Sequence, residues 1–318
     1  MKSYSAIDKI LHNLVFRNKI INRSLFEIEK IMYSRKKNIN NQSHLFITGL
    51  PRSGTTSLLN FLFSSNEYAS LSYRNMPFLL SPNLSKLFNK KNIPLKERLH
   101  ADGIKFDINS PEALDEIFFE NDEKFIANEL INYIELILLS ENKNKYLSKN
   151  NLNYKRIDLI RSILINSIFL ISIRDPLQQA FSLLKQHIHF VELQKKDYFI
   201  KQYMDFLGHR EFGLNHKPWN KPINYKNLND INYWLEQWLF FYQNMFEKYS
   251  SYNNCHFIIY ENLSHPKYVR SFIKKINFNN LNKLNLNYFK NSNKKKINID
   301  YDKNLYLLAK NIYQKYIN

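Results

Sequence analysis

The chain has 318 residues, 44% hydrophobic and 15% aromatic, enough to bury a substantial core in one elaborated α/β domain or two smaller ones. Its 46 basic and 28 acidic residues leave a formal charge of +18, which favours partners such as nucleic acid, anionic glycans or phosphorylated cofactors. No zinc-ligand spacing, aromatic-rich RNA-binding signature or recognition-helix pattern accompanies that charge, which argues against a dedicated nucleic-acid binder, and the one cysteine, Cys255, excludes an intrachain disulfide or a cysteine-based zinc site.

Residues 5–35 carry apolar positions at helical spacing (Ile7, Ile10, Leu11, Leu14, then Leu25, Ile28, Ile31, Met32), and Ser24 with Glu27 has capping-box spacing. Two amphipathic helices are expected there, followed by a polar connector over 36–43. This divides the chain into an N-terminal helical segment, 1–43, and an α/β domain, 44–318, with insertions near 78–120 and 194–227. The first forty residues mix charged with apolar positions, so no signal peptide is expected.

His44 to Thr48 reads as a short buried strand, and the glycine-bounded segment 49–54 precedes the helical run Leu58, Leu59, Phe61, Leu62. The loop Gly49-Leu50-Pro51-Arg52-Ser53-Gly54-Thr55-Thr56 has the glycine spacing of a phosphate loop, with Thr55 where lysine is usual. Backbone N–H groups in such a turn form an anion cradle at the helix N-terminus. Arg52 can supply the missing charge, and Ser53, Thr55, Thr56 and Ser57 offer hydroxyls. A helix N-terminus rich in capping residues would explain one of these hydroxyls, not four around an arginine and a glycine.

Further strands are expected at Ala69–Tyr73, Lys145–Lys149, Ser167–Ile173 and His256–Tyr260, with helices near 112–120, 123–140, 176–190, 228–249 and 302–316. Alternating strands and helices imply a mainly parallel sheet covered on both faces. The most apolar run, Ile163 to Ile173, is too short to span a bilayer, so a soluble, cytoplasmic protein is expected. The strand ends in Arg174, with Asp175 as N-cap and Pro176 as first helical residue, and Ser182 follows about two turns into the helix. An arginine at the carboxyl end of a strand stands where open α/β sheets bind ligands. Arg174 and Ser182 could approach one phosphate; a structural pairing of Arg174 with Asp175 is the alternative.

Taken together, Leu50 to Leu58 resembles the 5′-phosphosulfate loop of the sulfotransferases that use 3′-phosphoadenosine-5′-phosphosulfate (PAPS), and Arg174-Asp175-Pro176 through Ser182 resembles their 3′-phosphate motif. Weaker similarities lie at Ser110-Pro111-Glu112-Ala113-Leu114, Tyr146-Leu147-Ser148-Lys149-Asn150 and Tyr260-Glu261-Asn262-Leu263. The resemblance spans about 44 to 265 and is nearer to bacterial-type enzymes than to cytosolic small-phenol enzymes, whose C-terminal glycine-containing motif is not found. It implies a P-loop-like three-layer α/β fold, with a mainly parallel sheet between helices, N-terminal helices and an irregular insertion. It further implies that Arg52, Ser53, Gly54, Thr55, Thr56 and Ser57 hold the phosphosulfate, that Arg174 and Ser182 hold the 3′-phosphate, and that no metal is required. The product would be 3′-phosphoadenosine 5′-phosphate (PAP). The acceptor would carry a hydroxyl, a glycan being one class that suits the positive surface.

Several sulfotransferase branches place a carboxylate after the first βα unit, whereas Ser72-Tyr73-Arg74-Asn75-Met76-Pro77 has no acid. The catalytic base must come from elsewhere. The candidates are His100, suited by an unperturbed pKa near 6.5, Asp102 and Glu112, with Lys149 as a charge stabiliser. Asp107, Asp115 and Glu116 stand close in sequence, and Glu112 could instead simply favour a helix N-terminus. Gln186, His187 and His189 follow Ser182 without an assigned role, Trp234, Trp238 and Tyr242 have the spacing of a core face, and Lys294 to Lys296 reads as a solvated loop. A phosphate-loop kinase or NTPase, dependent on Mg²⁺, and a non-catalytic nucleotide- or polyanion-binding protein are the alternatives.

Overall fold

The computed structural model describes residues 18–36, 38–88, 94–97, 105–206, 208–278, 281–290 and 296–317. Its centre is a five-stranded, wholly parallel sheet in the order β2 (Tyr68–Ala69), β5 (Lys145–Lys149), β1 (Leu45–Thr48), β6 (Ile168–Ile173), β7 (Cys255–Ile259). A separate antiparallel pair, β3 (Lys96–Glu97) and β4 (Lys105–Phe106), belongs to the insertion. All four residues of β1 and all six of β6 are buried, which is why these strands read as unbroken apolar runs and not as an alternation.

The period-2 geometry of the strands divides their side chains between two cores. Leu45, Ile47 and Leu170 face α2 (Thr55–Phe63) and α9 (Pro266–Lys275) through Leu58, Leu62, Val269 and Phe272. Phe46, Phe169 and Ile171 face the other way, toward α4 (Glu123–Glu141), α6 (Pro176–Lys196) and α8 (Ile231–Tyr249), through Tyr133, Leu183, Trp234 and Trp238. The Phe46 and Phe169 rings stack at 5.5 Å between centroids. The fold is thus the expected three-layer α/β arrangement with a parallel sheet between helices.

Several elements differ in detail from the sequence expectation. The N-terminal helix α1 (Lys19–Tyr33) starts five residues before Ser24, because the Asn18 carboxamide caps it by accepting from the N–H groups of Ile20 and Ile21. Ser24 and Glu27 are therefore inside the helix and form no capping box. The first of the two predicted helices lies outside the described residues. The strand expected at Ala69–Tyr73 ends at Ala69; Ser72 keeps one bridge to Pro111, and a 3₁₀ turn takes over at Tyr73–Asn75. The helix expected near 112–120 is the single turn α3 (Glu116–Phe119), since Glu112 and Asp115 use their side chains for tertiary hydrogen bonds. A short helix, α5 (Ile157–Ile163), precedes β6, and the 194–227 excursion opens with α7 (Tyr198–Phe206). The chain ends in α10 (Lys303–Ile317).

Helix α8 also ties two strand ends together. The Tyr242 hydroxyl donates to the Ser172 carbonyl at 2.7 Å and accepts from the Leu50 N–H at 3.3 Å, joining β6 to the turn after β1. Tyr242→Phe keeps the ring and removes both bonds, leaving a buried carbonyl and N–H unpaired. It should lower the unfolding free energy by about 1–3 kcal/mol, read from urea titrations at unchanged m-value.

Candidate active site

Because every strand of the sheet runs the same way, the turns after β1, β5, β6 and β7 all open at one edge. The turn after β1 is bounded by two glycines at positive φ, +134° for Gly49 and +94° for Gly54. A Cβ on Gly49 would stand 2.4 Å from the Ser172 carbonyl oxygen, and one on Gly54 would stand 2.4 Å from the Tyr260 ring, so neither position admits a side chain. Arg52 itself sits at φ +69°, a setting that costs an L-residue about 1–2 kcal/mol. The loop is held from inside: Ser53 Oγ donates to the Leu50 carbonyl at 2.7 Å, Ser172 Oγ donates to the Ser53 carbonyl at 2.6 Å, and Gln179 Nε2 donates to the Pro51 carbonyl at 2.9 Å. Helix α2 begins at Thr55 with no side-chain cap from Gly54, so its opening N–H groups point along the loop as a ready anion site.

The turn after β6 meets this loop directly. Arg52 Nε donates to Ser182 Oγ at 3.0 Å, and an Arg174 terminal nitrogen donates to the Arg52 carbonyl at 3.1 Å. The Arg174 guanidinium lies over the Tyr260 ring at 4.8 Å from its centroid, and its buried Nε has no hydrogen-bond partner among the described residues. Asp175 caps α6 by accepting from the Gln178 N–H at 3.0 Å, which fixes the direction in which Arg174 leaves the strand.

Between these turns lies a cleft of about 170 Å³. Arg52, Gly54, Thr55, Thr56, Ser57 and Arg174 line it together with Glu112, Lys149, Asn151, His209 and Glu211. Lys149, at the end of β5, stands 3.8 Å from Glu112, whose other oxygen accepts from the Tyr73 hydroxyl at 3.1 Å. Thr55 Oγ1 donates to Asn151 Oδ1 at 3.4 Å, and Asn151 Nδ2 donates to Glu211 Oε1 at 3.3 Å.

A family model described as the sulfotransferase family matches residues 44–269. The chain belongs to the sulfotransferase family. Among solved structures it is similar to the sulfotransferase STF1 from Mycobacterium tuberculosis H37Rv, at 11% identity and a TM-score of 0.51 over 98% of this chain and 86% of that one. It is also similar to the sulfotransferase STF9 from Mycobacterium avium, at 10% identity and a TM-score of 0.48 over 100% of this chain and 79% of that one. No curated protein matches. At such identities the likeness to STF1 speaks for the fold, and the family match carries the activity: sulfuryl transfer.

Of the residues singled out in the sequence, this sulfotransferase brings Arg52, Gly54, Thr55, Thr56, Ser57, Arg174, Glu112 and Lys149 to one cleft. Ser53 is fully buried beneath the loop, and Ser182 is reached through Arg52. His100 and Asp102 lie outside the described residues, as do Lys294 and Lys295. Asp107 accepts from Ser110 Oγ and the Asn109 N–H within its own turn. Asp115 is buried under Tyr146, Ser148 and Asn150, and Glu116 is paired with Arg156 at 2.7 Å. His187 is buried against Trp234 and His216, and burial together with the His216 charge pushes its pKa down to about 4. Trp234, Trp238 and Tyr242 are core, as their spacing indicated. Among the described residues no group of His, Cys, Asp or Glu side chains could hold a metal ion, and no helix is long and apolar enough to cross a membrane.

The sequence reading missed His209 and Glu211, which sit in the 194–227 excursion without a motif around them. The only available signal was the spacing of two titratable residues beside Gly208 and Gly213. His209 Nδ1 and Glu211 Oε2 are 3.7 Å apart. Burial alone would raise the Glu211 carboxyl, but His209 and Lys149 outweigh it and hold it at about 2. Burial alone would lower His209, and the facing Glu211 carboxylate reverses this and raises it above 6.5. The depressed carboxyl stabilises the fold above 4.5 and loses that contribution as pH falls toward 2; the raised imidazole stabilises below 6.5 and fades as pH climbs past its folded value. The difference in melting temperature between wild type and Glu211→Gln should therefore peak between 4.5 and 6.5 and shrink in alkaline buffer, as a calorimetric pH series can establish.

Proposed function

We propose that the chain moves a sulfuryl group from PAPS to an acceptor hydroxyl, leaving PAP. The observation that carries this reading is the meeting of two turns on adjacent parallel strands, each suited to an anion, residues 49–56 after β1 and Arg174 with Ser182 after β6. A ligand with phosphate groups at both ends suits such a pair. The residues fit it chemically: Gly54 leaves room where a Cβ would collide with Tyr260, the α2 N-terminus offers N–H donors, and Arg174 Nε is an orphaned buried donor. Thr55, in place of the lysine that reaches outer phosphates in Mg²⁺-dependent NTPases, favours this donor over ATP.

In this reading the backbone of Ser53 and Gly54, with the hydroxyls of Thr55, Thr56 and Ser57, grips the 5′-phosphosulfate, and Arg52 offsets the charge gathering on the leaving phosphate. Arg174 and Ser182 hold the 3′-phosphate and set the register of the donor. Lys149, 7% exposed and lining the same cleft, supplies a second positive group, kept in place by Glu112. The acceptor is a hydroxyl compound, and the +18 charge favours one that is itself anionic, as many glycans are.

Isothermal calorimetry of PAP without metal provides the test. Wild type should bind it in preference to Mg-ATP, and Arg52→Ala and Arg174→Ala should each weaken binding about tenfold or more, the scale of one lost charge-assisted hydrogen bond. A preference for Mg-ATP, or indifference to Arg174→Ala, would overturn the proposal.

A further inference from the structure

His209 and Glu211 stand in the turn after α7, fixed by the His209 N–H donating to the Met204 carbonyl at 2.9 Å and the Leu214 N–H donating to Gln194 Oε1 at 2.7 Å. Both side chains line the same cleft as Arg52, Thr55 and Arg174. Nδ1 is the ring nitrogen of His209 that faces Glu211, at 3.7 Å, so Nε2 is the nitrogen that this contact does not engage. Glu211 is anchored in turn: Asn151 donates to it at 3.3 Å and accepts from Thr55 at 3.4 Å, so a line of contacts joins the phosphate loop to the imidazole.

We propose that His209, oriented by Glu211, is the acid–base residue that removes the acceptor's proton; this rests on the sulfuryl-transfer reading above. A carboxylate facing Nδ1 keeps the proton on that nitrogen, leaves the Nε2 lone pair as the base, and stabilises the imidazolium that forms. In the step, a bond forms between the acceptor oxygen and sulfur. The bond from sulfur to the 5′-phosphate oxygen breaks, with its electron pair leaving on that oxygen, and the acceptor proton passes to His209 Nε2. Glu112 is less suited, because its oxygens already accept from the Ala113 N–H at 3.0 Å and the Tyr73 hydroxyl at 3.1 Å, and Lys149 stands 3.8 Å away. These contacts occupy the lone pairs that a base would need.

The charged groups that face His209 are Glu211 and Glu112, which favour its proton, and Lys149, which opposes it; the carboxylates win and the imidazole titrates above 6.5. The rate should therefore rise with pH through that ionisation, as the neutral ring is restored. With the acceptor unidentified, the assay is hydrolysis of PAPS, water standing in for the hydroxyl, followed as PAP release by chromatography. His209→Gln should lose about 100-fold or more of the rate while binding PAP within about twofold of wild type by calorimetry. The rising limb of the pH profile should vanish in His209→Gln and move to lower pH in Glu211→Gln. The same downward shift should appear in the His209 ring titration by NMR on ¹³C-histidine-labelled protein, whether or not hydrolysis is fast enough to time. Retained PAP binding with a His209→Gln rate within about threefold of wild type, or a His209 titration unmoved by Glu211→Gln, would overturn the assignment to His209 alone. Failure of wild type to bind PAP would overturn the donor reading beneath it.

Discussion

The site depends on how closely two parallel strands can deliver their turns to each other. Gly49 follows β1 at a point where any Cβ would lie 2.4 Å from the Ser172 carbonyl of β6. Only glycine permits that approach, and several contacts that shape the site follow from it: Ser172 donates to the Ser53 carbonyl, Tyr242 bridges Leu50 and Ser172, and Arg174 reaches the Arg52 carbonyl. Gln179 adds a brace from α6 and is itself held by the Trp238 indole at 3.0 Å. A core face that looks purely structural in the sequence, Trp238 and Tyr242, is thereby in hydrogen-bond contact with both turns proposed to bind phosphate.

The part of the cleft proposed to grip the donor was legible from sequence because its physics is local. A glycine-bounded turn before a helix, an arginine at a strand end, and Asp-Pro opening the next helix each confine their own signal to a few residues. The parallel sheet then brings them together without further instruction, since parallel strands place all their carboxyl ends on one edge. The strands of the sheet were legible for the same reason: fully buried runs such as Phe169 to Ile173 leave little else for the chain to form.

What was not legible depends on partners distant in sequence. Asp115 and Glu116 looked like acid–base candidates beside Glu112, but Tyr146, Ser148 and Asn150 enclose the first and Arg156 pairs with the second. Their work is to hold the end of β5, and with it Lys149 and Asn151, at the cleft wall. The same tertiary demands shorten the predicted helix near 112–120 to one turn. His209 and Glu211 escaped for the opposite reason: no strand or motif announces them, and only the folding back of the 208–217 turn against Gln194 brings them into the cleft that the 49–56 loop also lines.

The charges in the cleft divide along the same line. Among the lining residues from the insertion, β5 and the turn after α7, Lys149 faces Glu112 and His209 faces Glu211. On the loop side, Arg174 is held by a carbonyl oxygen and an aromatic face, both neutral, so these contacts leave its positive charge in place. The anionic donor proposed above would therefore be drawn toward Arg174, while the proposed base would sit among the paired charges. In the proposed reading, separating the charge that binds from the charge that moves protons would let one cleft do both.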